Sequence, residues 1–397
     1  MSGPLTFNVT HTLPGGHARV GRVETPHGGF DTPAFMPVGT KATVKGLLPH
    51  MIRSTGSQII LNNAYHLMLR PGDDLVARRG GSHRFMGWDG PILTDSGGYQ
   101  AFSMTDCNSI SDEGVVFQSI IDGAEINLTP ERSIEVQNNL GADIIMAFDD
   151  CPPSVAGLKG TAADPETHAA RLRVAVERTT EWLHRCVEAH ARPDDQALFG
   201  IVQGGTDPDL RARSLAEITA VDLPGYAIGG VAVGESPERI HQIVAETAPQ
   251  LPADRPRYLM GVGYERDIVQ AVKAGVDMFD CVLPTRNGRT ASAFTRQGRI
   301  NLKNARFKED DGVIEPGCTC LACSGGGQEG EPRGGYSRAY LRHLFLANEM
   351  LGPILVSVHN IHHFQALMLD IRRAIRDDAW LSLERDWPVL QEAVGAP

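Results

Sequence analysis

The sequence predicts a (β/α)8 barrel followed by a metal-binding helical segment. Three observations carry that expectation: eight short apolar runs spread along the chain, amphipathic stretches between them, and a tight cysteine cluster beyond them. Continuous apolar runs of this length suit parallel strands covered on both faces. The first four are P-A-F-M-P-V-G (33–39), S-Q-I-I-L-N-N (57–63), P-I-L-T-D (91–95) and D-I-I-M-A-F-D (143–149). The others are A-L-F-G-I-V-Q-G (197–204), Y-A-I-G-G (226–230), R-Y-L-M-G-V-G (257–263) and D-M-F-D-C (277–281). Asp95, Asp149, Gln203, Gly230 and Asp280 fall at the ends of these runs. In such a barrel the C-terminal ends of the strands form the catalytic mouth.

Between the runs lie the helices. Segment 130–140 follows Thr129, opens on Pro130 and carries Glu131 in its first turn, a good N-terminal signature. Segments 167–190, 236–247 and 265–274 are amphipathic. No early run feeds a G-x-G-x-x-G turn, which leaves a doubly wound dinucleotide-binding sheet unsupported. Further on, S-G-G-G-Q-E-G-E-P-R-G-G (324–335) reads as a flexible loop. A helix is expected over 337–350 and another beginning near His359. The expected division is a barrel with an N-terminal extension and insertions (1–310), then a zinc-binding subdomain with closing helices (311–397).

At 397 residues, with 42% hydrophobic and 21% charged residues, the chain reads as a globular protein with a large core. The N-terminus has no basic segment leading into an apolar run, so no signal peptide is expected. No apolar stretch reaches the roughly 18 residues of a membrane span. The odd count of seven cysteines fits free thiols and a metal site in a reducing, cytoplasmic setting better than a disulfide framework. A formal charge of −11 argues against a generally nucleic-acid-binding surface. Yet no acidic residue occurs from Cys281 to Lys308, while Arg286, Arg289, Arg296, Arg299, Lys303, Arg306 and Lys308 do. That is a local footprint for a polyanion.

Cys318, Cys320 and Cys323 lie in C-T-C-L-A-C, and V-H-N-I-H-H supplies His359, His362 or His363 as a fourth ligand. Three thiolates and one imidazole form a closed structural zinc site, which leaves no open position for substrate. Chemistry then falls to the carboxylates. Asp95 stands in T-D-S-G-G-Y-Q, Asp149 and Asp150 in F-D-D-C-P-P, and Asp280 just ahead of the basic stretch. Carboxylates converging on one barrel mouth can divide the work of nucleophile and acid/base, as in retaining glycosyl transfer. No G-x-S-x-G elbow points to serine hydrolysis.

These residues resemble a known family. T-D-S-G-G-Y-Q, M-A-F-D-D-C, G-I-V-Q-G-G, I-G-G-V-A-V-G-E, Y-L-M-G-V-G, D-M-F-D-C-V-L-P-T-R-N-G-R and C-T-C-L-A-C with H-N are similar to bacterial tRNA-guanine transglycosylases. The resemblance runs from about Phe7 to about Gln365, in family order. It implies a zinc-containing barrel that exchanges guanine at the anticodon wobble position of G-U-N tRNAs for the queuine precursor preQ1. By motif position it implies Asp280 as nucleophile and Asp95 as general acid/base. Asp149, Gln203 and the Gly230 amide would recognise the base, with Tyr99 and Met260 as the sides of the slot and Ser96, Cys151 and Val231 completing it. Arg286 and Arg289 would meet the tRNA. The zinc ligands would be Cys318, Cys320, Cys323 and His359, and the enzyme a homodimer.

The roles implied agree with elementary chemistry. Purine N–H groups need a fixed acceptor such as Asp149, and a purine carbonyl oxygen needs donors such as the Gln203 amide and the Gly230 N–H. A target base leaves its stack most easily in a single-stranded loop. The chain departs from the family pattern in two places. The spacing from Cys323 to His359 is enlarged within 324–335, and Val231 stands where many bacterial members carry leucine. A longer loop changes closure entropy only slowly, so the metal site should survive. Val233 matches the bacterial pattern and favours preQ1 over queuine. A zinc-stabilised RNA-binding scaffold without catalysis would lack the strand-end carboxylates that this chain has. A relative acting on the tRNA D-loop would carry a further RNA-binding domain.

Overall fold

Eight parallel strands close into a barrel in the computed structural model, which describes residues 3–103, 108–154, 164–325 and 334–391. They are β1 (Ala34–Gly39), β2 (Ile60–Asn62), β3 (Ile92–Thr94), β4 (Ile144–Met146), β5 (Ala197–Val202), β6 (Gly225–Ile228), β7 (Arg257–Leu259) and β8 (Met278–Cys281). Each pairs with the next, and β8 pairs with β1 through Met278 to Cys281 against Ala34 to Pro37. Every expected apolar run therefore contributes one strand.

Alternation along the strands divides two cores. Ala34, Met36 and Val38 of β1 point inward and pack with Leu61, Leu93, Met146, Phe199, Ile201 and Tyr258 in the barrel interior. Phe35, between them, points outward and stacks on Phe364 of the long C-terminal helix at 4.8 Å. An antiparallel sheet of Thr6–Thr12, Arg19–Thr25 and Gly28–Thr32 precedes β1, and its Val23 and Phe30 join the interior core. No apolar run marks these strands, and a second small antiparallel sheet (Asn108–Ile110, Val115–Gln118, Glu125–Leu128) also lies outside the expected elements.

The helices start where capping chemistry says they should. Thr129 accepts a hydrogen bond from Arg132 N at 3.2 Å and Pro130 opens the helix Pro130–Leu140, which Gly141 ends in the left-handed region. Asp164 caps Pro165–Ala189, Asp207 caps Pro208–Thr219 and Ser236 caps Pro237–Thr247. Two C-terminal expectations need correction. The helix expected over 337–350 is Arg338–Leu346, because Asn348 turns left-handed at φ 57° and breaks it. The helix expected to begin near His359 is Leu351–Arg376, so His359 lies well inside it. Pro353 is tolerated in its first turn, where its missing N–H needs no partner. Of the glycine-rich loop 324–335, residues 326–333 lie outside the described residues, while Ser324 ends a short helix, Leu321–Ser324.

Candidate active site and metal cluster

A cavity of about 480 Å³ opens at the C-terminal end of the barrel. Asp95 and Ser96 reach it from the end of β3, Asp149 and Cys151 from β4, Gly230 and Val231 from β6, Met260 from β7 and Asp280 from β8. Tyr99 lines it too and is 44% exposed, as a wall residue at the mouth would be. Of the expected base-recognition residues, only Gln203 stands behind the wall. It is 2% exposed and donates from Nε2 to Asp149 Oδ2 at 2.6 Å. Arg286 lines the cavity; Arg289 lies on the same short helix, Leu283–Arg289, away from the lining.

All three carboxylates are held by neutral donors. Asp95 Oδ1 accepts from Ala64 N at 2.9 Å, and Oδ2 accepts from the Asn63 side chain and from Gln100 Nε2 at 3.1 Å. Burial pushes Asp95 up to about 7, with the Asp280 charge adding to it and the Ala64 and Asn63 donors opposing it. Asp149 accepts from Gln203 and, at 3.5 Å, from Ser96 Oγ, and burial pushes it up to about 6. Asp280 Oδ1 accepts from the Tyr258 hydroxyl at 2.6 Å and from Gly261 N at 2.8 Å. Burial raises it as well, against both donors. A carboxylate poised near neutrality can both give and take a proton. Asp150, the neighbour of Asp149, is different. It is buried between Arg171 (2.5 Å) and Arg178 (2.6 Å), a structural ion pair.

Backbone shape fixes the Gly230 position. Its φ is +61°, and a Cβ there would fall 2.2 Å from Gln203 Oε1. Only glycine satisfies both constraints. Beyond it Glu235 ties down the loop, accepting from Ala232 N at 2.6 Å, Val233 N at 3.0 Å and Ser154 Oγ at 2.7 Å. Sequence reasoning missed the supporting roles of Asn63, Gln100, Tyr258, Gly261 and Glu235. Asn63 carried the clearest signal, being a polar residue at the C-terminal end of the second run. Tyr258, within an apolar run, reads as core.

The second cluster lies around the Leu351–Arg376 helix. Cys318, Cys320 and Cys323 place their Sγ atoms 3.7, 3.5 and 3.4 Å from His359 Nδ1. A tetrahedral metal bonded to sulfur at about 2.3 Å and nitrogen at about 2.0 Å would separate them by about 3.5 Å. The four ligand atoms lie within 4.8 Å of one another, so the set can hold a metal ion. His359 Nε2 is engaged by the Phe294 carbonyl at 2.8 Å, which fixes the orientation of the ring and turns Nδ1 toward the sulfurs. The other candidates are occupied elsewhere: His363 meets Glu265 at 2.8 Å and His362 meets Thr319 at 3.3 Å. Among the described residues no helix is long and apolar enough to cross a membrane.

Comparison with known proteins gives the family. The family model described as "Queuine tRNA-ribosyltransferase" matches residues 15–389. A Thermus thermophilus queuine tRNA-ribosyltransferase is 53% identical over 384 residues, 97% of this chain and 94% of that protein. Its Synechococcus elongatus counterpart is 52% identical over 363 residues (91% and 89%), and one from Staphylococcus aureus is 46% identical over 383 residues (96% and 96%). The chain belongs to the queuine tRNA-ribosyltransferase family, the tRNA-guanine transglycosylases that its motifs resemble.

Proposed function

We propose that this enzyme replaces guanine with preQ1 at the wobble position of tRNAs with G-U-N anticodons, those for Asp, Asn, His and Tyr, as a step in queuosine formation. The observation that carries the reading is one cavity ringed by three carboxylates with neutral donors, Asp149 buried and Asp95 and Asp280 half-buried, on a chain of this family. Both donors to Asp280 converge on Oδ1, so Oδ2 is the oxygen assigned to attack C1′. The bond from C1′ to the guanine nitrogen breaks, its electron pair leaves with the base, and protonated Asp95 supplies a proton to that base. The incoming base then gives its ring N–H proton to Asp95 and displaces Asp280, so two inversions preserve configuration at C1′.

Asp149 would accept the purine N–H groups. The Gly230 N–H and the second hydrogen of Gln203 Nε2 would serve the carbonyl oxygen, between Tyr99 and Met260 and against Ser96 and Cys151. Val231, through its carbonyl, would meet the aminomethyl group. Val233 lines the same cavity and leaves room for preQ1 more readily than for the larger queuine. Arg286 and Arg289 would hold the anticodon loop, since guanidinium groups suit phosphates and base edges.

We assign one structural zinc to Cys318, Cys320, Cys323 and His359, where it would fix the C-terminal subdomain and take no part in the exchange. His359→Ala should lose the metal and melt earlier, measured by zinc content and calorimetry. Unchanged zinc and melting would remove His359 from the set. Family resemblance and the exposed side chains of Leu346, Met350 and Leu351 support a homodimer, testable by sedimentation. A tRNA substrate and thiol ligands support a cytoplasmic location. The deciding experiment is exchange of labelled guanine in a G-U-anticodon tRNA against preQ1 and queuine, with denaturing gels for the enzyme–RNA ester. Absence of exchange with both bases would refute the reading.

A further inference from the structure

Arg211 is a buried cation that the exchange chemistry above leaves unused. It stands in the first turns of Pro208–Thr219, is 5% exposed, and gives its N–H groups to three backbone carbonyls. Nε donates to Gly205 O at 2.9 Å, Nη1 to Val202 O at 3.0 Å and Nη2 to Gly230 O at 3.0 Å. Val202 ends β5, one residue before Gln203, and Gly230 lies just past the end of β6. One guanidinium thus clips together the two strand ends that carry the amides facing the base carbonyl oxygen. Gly204 and Gly205 turn left-handed (φ +125° and +56°), and a Cβ at Gly204 would fall 2.7 Å from Arg211 N. The loop therefore packs directly on the backbone of the helix turn that carries Arg211.

Stapling two loops does not require a charge. At the opposite end of the barrel the neutral Gln196 joins Gln137 O (3.2 Å) and Ala142 O (2.7 Å) while equally buried. Burying a guanidinium against neutral carbonyls costs far more than burying an amide. Burial lowers Arg211 only to about 10, which leaves it charged at neutral pH. A positive charge in that position favours electron density on the purine oxygen, which rises as the base departs with its bonding pair.

Resting on the base orientation proposed above, we propose that Arg211 is a positioning residue for recognition of the 6-oxo edge of the base. It acts through Gly230 and Gln203, holding their spacing and placing positive potential behind them. The role makes a specificity claim. Guanine presents an oxygen to this wall, whereas 2,6-diaminopurine presents an amino group that gains nothing from donors or from the charge.

Binding of both bases should be measured for the zinc-loaded full chain, wild type, Arg211→Lys and Arg211→Met, with tRNA affinity and melting as controls. We expect guanine affinity to fall about tenfold or more in Arg211→Met and less in Arg211→Lys, about the effect of one lost charge-assisted hydrogen bond. Diaminopurine and tRNA affinities should stay within about twofold of wild type, so the oxo-to-amino preference collapses. An unchanged preference in folded Arg211→Met overturns the proposal, as does equal loss for both bases. If both variants fail to fold, Arg211 is scaffold and the proposal also falls. Asp149→Asn separates the two layers of inference: if it binds guanine normally, the base orientation itself is wrong; if it does not, only Arg211 is on trial.

Discussion

Asp143 and Asp149 stand on either side of β4, both buried, yet they do opposite things. At the N-terminal end of the barrel Asp143 accepts from His27 Nδ1 (2.8 Å), His27 N (3.1 Å), His83 Nε2 (3.1 Å) and Ile92 N (2.8 Å). The two imidazoles stack at 3.5 Å to share it. Burial pushes Asp143 up, but His83, Ile92 N and His27 outweigh it and hold the carboxyl below its usual value. Around β8, Asp277 takes a two-point clamp from Arg19 (3.0 and 2.6 Å) that opposes its burial without bringing the carboxyl below its usual value, while Asp280 at the other end meets only a hydroxyl and an amide. Between Asp143 and Asp149 burial is therefore shared, and the character of the partners differs. Asp143, with two imidazoles among its donors, is held as an anion, whereas Asp149, left with neutral amide and hydroxyl donors, is raised and can exchange a proton near neutrality.

The largest effect should come from Asp280. Asp280→Asn should lower base exchange more than about 10⁴-fold and abolish the covalent adduct while tRNA still binds, because no carboxylate remains to receive C1′. An adduct in that variant would transfer the nucleophile role to another member of the ring. Asp95→Asn should cost about 10²–10⁴-fold, the scale of general acid/base catalysis. Its wild-type rate should titrate near pH 7, following the raised Asp95 group, and this limb should vanish in the variant. A normal rate would reduce Asp95 to a helix-capping role, which asparagine fills equally well.

Stability then breaks or sharpens the contrast between the ends of β4. Asp149 is raised from 3.8 to about 6, so the folded state favours its protonated form and loses stability as pH rises through about 6. Asp149→Asn should accordingly melt later than wild type at pH 8, by up to about 3 kcal/mol, with the gain fading toward pH 4. Asp143 is lowered, so it contributes stability above its ordinary titration range that is lost on acidification. Asp143→Asn should destabilise at pH 8 by about 1–3 kcal/mol, since one amide cannot serve the same four donors. Calorimetry at pH 4, 6 and 8 reads both; shifts of equal sign would erase the distinction. The smallest change concerns the rim. Arg286→Ala with Arg289→Ala should reduce the salt slope of tRNA binding by about 2 and leave free preQ1 affinity intact. Equal loss of both ligands would indicate a collapsed pocket.

How much of this was legible before folding depends on which physical signal each part leaves. The barrel strands were readable because burial on both faces forces unbroken apolar runs. Thr6–Thr12 was not, since its side chains alternate between exposed and half-buried and leave no apolar pattern. Asp95, Asp149 and Asp280 stood out as acidic residues at the ends of apolar runs. Tyr258 was hidden because its ring belongs to the core and only its hydroxyl enters the site. Spacing alone left His359, His362 and His363 open; motif position favoured His359, and the helix supplies the physical reason. His363 lies one turn beyond His359 on the same face, but Glu265 has already claimed it, and no local pattern carries that information.

The Leu351–Arg376 helix also sets an order of events in time. Its Gln365 donates to Phe35 O across 330 positions of chain and its Arg372 to Pro33 O across 339. Its Asn360 donates to Pro284 O at 2.9 Å and Ser292 O at 3.0 Å and accepts from Phe294 N at 3.0 Å, bracketing the segment that carries Arg286 and Arg289. During translation the first barrel strand is made long before the helix that covers it, and such distant pairings form late. The arginine helix gains its backing only once residue 360 has emerged. A chain still on the ribosome therefore carries this helix before the scaffold that backs it exists.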